Sequence, residues 1–105
     1  MAQFSIYQNR NLTTRNRFPY LLDVQILLLE SLETRLVIPL MPIRLSQGKA
    51  FTKLTPLVKI ENQEYLVHTP LMAGILKNEL GPFVSDVSYL RQDIISAIDL
   101  LITGI

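Results

Sequence analysis

SYLRQDIISAIDLLITGI, residues 88–105, closes the chain and decides its class. Leu90, Ile94, Ala97, Ile98 and Leu101 recur at three- and four-residue steps, with Arg91, Gln92, Asp93 and Asp99 on the other side. That is the period of an amphipathic α-helix with one face for a core. Ser88 is the expected N-cap. Gly104 can take the left-handed conformation that ends a helix. Burying four large side chains of the stripe contributes about 1.5–3 kcal/mol each before entropy, enough to lock the helix onto a sheet. The final residues are apolar or small, with no charged tail to keep them wet. Two readings fit such an end: a plain helix cap, or a terminus docked on a partner or a twin subunit.

Ahead of the helix the pattern turns to strands. Residues 3–8 (QFSIYQ) alternate polar and apolar, as a half-buried strand does. Residues 9–17 (NRNLTTRNR) are polar, basic and aperiodic, a long exposed loop. In 20–26 (YLLDVQI), Leu22, Val24 and Ile26 share one face and Asp23 and Gln25 the other. Residues 35–43 (RLVIPLMPI) form a β-branched strand; Pro39 and Pro42 cannot donate to a ladder, which predicts an edge or a bulge. A turn is expected at 46–49. Strands 57–60 and 65–68 flank 61–64, read as a four-residue hairpin loop. Residues 70–80 suit either a helix or a last strand, and Gly81-Pro82 should end whichever forms. Five or so antiparallel strands and one helix make a mainly-β, α+β fold, a small barrel or sheet, as one domain over 1–105.

The 105 residues can bury a single core unaided. With no cysteine there is no disulfide framework, no thiolate zinc site and no Cys nucleophile. The start, MAQFSI, lacks the basic and apolar regions of a secretory leader. The greasiest run, 20–29, is broken by Asp23 and Gln25 and falls short of the ~20 residues a membrane span needs. A soluble cytoplasmic protein, not membrane-bound, is expected. Net charge of +1 gives no global pull toward nucleic acid. At 49% apolar and 18% charged residues the chain is lean on charge, so leftover apolar surface should be covered by a twin or a partner.

Chemistry has few places to sit. His68, the lone histidine, has no cysteine or carboxylate pair beside it and reads as structural or exposed rather than as a ligand. No triad, HExxH or phosphate loop can be assembled from local spacing, so no catalytic residue, metal or cofactor is expected. Arg10, Arg15 and Arg17, aided by Thr13 and Thr14, can grip phosphates; the plainer reading is a solvated loop. In 26–29 (ILLL), strict alternation sends Leu27 and Leu29 outward. Either a turn tucks them in or they form a contact surface.

Gln3-Phe4, Asp23-Val24-Gln25, Arg35-Leu36-Val37-Ile38-Pro39-Leu40 and the closing Ile94, Ala97-Ile98 and Gly104-Ile105 together resemble the CcdB toxin family, in order and spacing and nearly end to end. The resemblance implies a dimeric SH3-like antiparallel β-barrel with a C-terminal α-helix. It implies a non-enzymatic toxin of a bacterial type II toxin–antitoxin system that binds the DNA gyrase A subunit and traps it on cleaved DNA. The implied antagonist is a CcdA-like antitoxin with a disordered C-terminal tail; operator DNA is reached only through that antitoxin. Carried over by position, the gyrase-binding residues are Leu28, Leu29, Asp99, Ile102, Thr103, Gly104 and Ile105. The chain departs from the best-known pattern, which has Trp at the place of Thr103 and an amide at the place of Asp99. Two alternatives stand beside this: a MazF-like endoribonuclease on the same fold, using Arg15, Arg17 and Thr13, and a weakly toxic or inactive relic that keeps antitoxin binding.

Overall fold

A nine-residue strand with two prolines organises the molecule. The computed structural model describes residues 3–26, 31–46 and 53–104. Its strands are β1 (Ser5–Asn9), β2 (Tyr20–Asp23), β3 (Thr34–Pro42), β4 (Leu57–Ile60), β5 (Gln63–Val67), β6 (Ala73–Leu76) and β7 (Leu80–Asp86), followed by helix α1 (Arg91–Thr103). All pairings are antiparallel, in the order β4-β5-β3-β2-β1-β7, with β6 also on β3. The sheet curls into a half-barrel carrying one C-terminal helix, an α+β fold consistent with an SH3-like barrel.

β3 is central rather than at an edge. It pairs with β2 along one side, and on the other with β6 over Thr34–Val37 and with β5 over Leu40–Pro42. The backbone O of Pro39 accepts the His68 N–H at 3.0 Å. A strand residue's N and O point to the same edge, so the missing donor of Pro39 faces the gap where β5 gives way to β6. Pro42 is the last residue of the strand. Both prolines therefore cost the ladder little, and the edge or bulge expected of them is not needed.

Gly81-Pro82 lies inside β7 instead of ending an element. β7 is an edge strand, and its register against β1 slips on both sides of Tyr7↔Phe83. That irregular edge tolerates the proline. Gly81 is required by contact: a Cβ there would meet the Gln8 carbonyl oxygen at 2.9 Å. The β4–β5 connection is a two-residue turn, closed by Ile60↔Gln63, rather than the four-residue loop expected. Glu61 and Asn62 have φ of 50° and 67°, the pair of positive values that the twist-matched hairpin turn demands. Residues 70–80 settle as strand β6 between 3-10 turns at Thr69–Leu71 and Lys77–Glu79. Of the turn expected at 46–49, all but Ser46 lies outside the described residues.

The first two strands are shorter than their patterns. Phe4, buried at φ 66°, turns the chain before β1 begins. β2 stops at Asp23, and Ile26, expected with Leu22 and Val24 on the core face, is 48% exposed. The main core joins Ile6, Leu22, Ile38, Leu40 and Val67 to Ile94 of the helix, and a second cluster of Tyr7, Leu21, Val37 and Leu80 covers the other face.

In α1, Ile94 and Ala97 are fully buried, and Ile95 and Ile98, with Leu90 at the N-cap, pack on the core half-buried. The stripe runs out at Leu101, already 38% exposed. Ser88 is not the N-cap: it opens a 3-10 turn, and its N–H donates to Asp86 Oδ1 at 2.8 Å. The far end follows the sequence reading, with Gly104 at φ 73° and its N–H on Leu100 O at 2.9 Å. Among the described residues no helix is long and apolar enough to cross a membrane.

Candidate functional site

The last turn of α1 outlives its core. Ile94 and Ala97 are fully buried, whereas Ile102, two turns beyond Ile94, is 70% exposed. Asp99, Ile102 and Thr103 stand three and four residues apart, on neighbouring positions of one helix side. All three are exposed, as is Gly104. Thr103 Oγ1 donates to Asp99 O at 2.7 Å, which folds its hydroxyl onto the helix. No basic residue lies in this turn, so the Asp99 carboxylate adds to the negative end of the helix dipole. The tip offers an apolar knob beside concentrated negative charge. It suits a partner surface that pairs a cation with an apolar contact. Of the other residues assigned by resemblance, Leu28, Leu29 and Ile105 lie outside the described residues.

The connection carrying Leu28 and Leu29 leaves β2 and enters β3, and its two ends are fastened together by Arg35 and by Asp23 and Gln25, the pair that alternation set opposite the core face. Arg35 and Asp23 are both wholly buried. Arg35 Nε donates to Asp23 Oδ2 at 2.9 Å, and its Nη2 lies 2.7 Å from the same oxygen. Asp23 Oδ1 accepts the Gln25 N–H at 2.9 Å, while Gln25 Oε1 accepts the Leu36 N–H at 3.0 Å. The backbone adds Val24 N–H to Leu36 O at 2.9 Å. Burial pushes the Asp23 carboxyl above its ordinary value, against the opposing pull of the Gln25 N–H and the Arg35 guanidinium. The signal available in the sequence was Asp23 inside one apolar run and Arg35 at the head of another. Alternation misplaced Asp23 because β2 is covered on both faces, by the cluster holding Leu22 and by the one holding Leu21.

Phe4 ties the same region to the helix. Its N–H donates to Asp23 O, and its carbonyl accepts the Val87 N–H, at 2.6 and 2.8 Å. A bulky residue at positive φ is uncommon and strained, of order 1–3 kcal/mol. Its buried ring, in the main core cluster, holds it there.

His68 is half-buried with its ring edge-on to Phe18, centroids 6.2 Å apart. Among the described residues no group of three His, Cys, Asp or Glu side chains could hold a metal ion. Arg10, Thr13, Thr14, Arg15 and Arg17 are exposed on the β1–β2 loop. There the Thr13 N–H donates to Asn11 Oδ1 at 2.9 Å, and the Arg17 guanidinium carbon lies 5.7 Å from the Phe18 ring centroid.

Compared with known protein families, the chain matches the sequence model of the family described as CcdB protein over residues 3–104.

Proposed function

The chain belongs to the CcdB family, the toxin half of toxin–antitoxin pairs, and from that premise we propose that it binds the DNA gyrase A subunit and traps the gyrase–cleaved DNA complex. It acts by binding, without catalysis of its own, in the cytoplasm and as a homodimer. A CcdA-like antitoxin neutralises it through a disordered C-terminal tail, and operator DNA is engaged only through that antitoxin. The gyrase contact is assigned to Leu28, Leu29, Asp99, Ile102, Thr103, Gly104 and Ile105.

The observation that supports the reading best is Ile102, a large apolar side chain 70% exposed on the last turn of α1. An isolated exposed isoleucine is ordinary. Here it stands with Asp99 and Thr103, positions that the family resemblance selects independently of exposure. Direct binding of the purified gyrase A subunit tests it. Ile102→Asp is expected to weaken binding by about tenfold or more with the fold intact. Unchanged binding would remove the helix tip from the site.

A further inference from the structure

β3 stops short of the end of β5. Pro42↔Tyr65 is the last pair of that ladder, and the chain then coils into a 3-10 turn over Ile43–Leu45. Gln63 and Glu64, the first two residues of β5, lie beyond the pairing with β3. Between turn and strand is a cavity of about 170 Å³, lined by Pro42, Ile43, Arg44, Gln63 and Glu64.

Both walls are fixed by hydrogen bonds. The Ser46 N–H and hydroxyl both donate to Ile43 O, at 3.0 and 2.7 Å, which pins the turn. Opposite, the Tyr65 hydroxyl donates to Gln63 Oε1 at 3.2 Å. The buried Tyr65 ring is itself held edge-on to Tyr20, centroids 5.2 Å apart. Burial, and then the neighbouring Tyr20, pushes the Tyr65 phenol above its ordinary value, so it remains a donor. The Gln63 amide is thereby oriented, and its Nε2 brings two donors to the wall. Walls already ordered remove part of the entropic cost of binding.

Size and charge restrict what fits. Pockets for drug-sized ligands run about 300–1,000 Å³, whereas a cavity of about 150 Å³ takes a single benzene ring. The space therefore suits one apolar group of about six heavy atoms, seated against Pro42 and Ile43. Arg44 and Glu64 are exposed with opposite charges, and among the described residues neither forms an ion pair. A simple carboxylate answers only Arg44, and an amine only Glu64. A free α-amino acid holds a carboxylate, an ammonium and one side chain on a single carbon, and complements all three features.

We propose that this cavity binds a free aliphatic α-amino acid of leucine size, with its carboxylate on Arg44 and the Gln63 amide, its ammonium on Glu64, and its side chain over Pro42 and Ile43. The proposal does not depend on the gyrase reading, because binding is measured on the chain alone.

The test is an NMR titration of the isotope-labelled full chain with three probes: L-leucine, glycine, and N-acetyl-leucine amide. Leucine is expected to give saturable shifts of the Arg44, Gln63 and Glu64 amides. Glycine, without a side chain, and the amide, without charges, should each bind about tenfold or more weakly. Arg44→Gln and Glu64→Gln should each weaken leucine binding by about tenfold. Both positions are exposed, so these variants should keep the parent melting temperature. Tyr65→Phe, which keeps the ring but releases Gln63, should weaken binding by about threefold. Absence of saturable shifts with leucine, or variants that bind as the parent does, would overturn the proposal. Equal binding of either control probe would overturn it too, and in the case of the neutral amide would make the cavity a seat for a polypeptide side chain.

Discussion

Arg35 and Asp23, one from the start of β3 and one from the end of β2, form an ion pair of 2.7 Å with neither side chain exposed to solvent. Such a pair costs desolvation on both sides, and its net contribution is small. Breaking it is another matter. Arg35→Met leaves the Asp23 carboxylate buried without its cation and is expected to destabilise the fold by about 3–5 kcal/mol. The double substitution Asp23→Leu with Arg35→Met should recover most of that loss. Urea unfolding of the three proteins checks it; a neutral Arg35→Met would mean the pair holds nothing.

That pair also marks where the sequence was legible. The segments DVQ and RLVIPL, two parts of the family resemblance, turn out to be the two halves of one cross-link: Asp23 to Arg35, and Gln25 to the Leu36 N–H. Their order could be read from the chain, but their contact could not, because a pairing across β2 and β3 is a tertiary fact. The helix was legible because its 3.6-residue period follows directly from one buried face, and Gly104 ended it as expected. Pro39 misled because its cost depends on what lies opposite, here a gap between two partner strands. Gly81-Pro82 misled for the same reason, at an irregular edge. The 70% exposure of Ile102 is a tertiary fact that the helical period does not encode.

Gly81→Ala places a methyl group 2.9 Å from the Gln8 carbonyl oxygen and 3.0 Å from Gln8 Cβ, two atoms that move only with the β1 backbone. It is expected to cost about 1–3 kcal/mol and to loosen the β1–β7 pairing selectively. Hydrogen exchange of the β7 amides checks the second point; protection equal to the parent's would show that the strands accommodate the methyl.

The Asp86 carboxylate is held below its ordinary value of 3.8 by the Ser88 hydroxyl and N–H. A depressed value in the folded state stabilises above the unfolded value, and the gain is lost as pH falls through the folded one. Asp86→Ala should therefore lower the unfolding midpoint at neutral pH, with the gap from the parent narrowing below 3.8. A gap that stays constant into acid would separate the helix entry from this carboxylate.

Ile94 and Ile102, on the same helix, should answer differently to substitution. Ile94 is fully buried, so Ile94→Ala is expected to cost about 2–5 kcal/mol. Ile102→Asp should leave the melting temperature within a few degrees of the parent and impair gyrase trapping instead. Matched thermal melts and trapping assays separate the two; a large loss of stability in Ile102→Asp would make the tip structural.

Thr103 is exposed, and its hydroxyl is turned back onto Asp99 O. A larger side chain therefore has solvent to occupy. Thr103→Trp restores the residue that the family pattern places there and is expected to raise trapping potency by about tenfold or more, since a Trp anchor typically contributes 2 kcal/mol or more at an interface. Equal potency would mean that this chain engages gyrase through other contacts.

The most direct measurement is trapping itself: purified protein, gyrase and supercoiled plasmid, scored for accumulation of linear, protein-bound DNA. The parent chain is expected to trap cleaved DNA, and removal of Gly104 and Ile105 to abolish trapping while the truncated protein still melts cooperatively. No trapping by the parent, or trapping undiminished by the truncation, would contradict a gyrase poison that acts through the end of its helix.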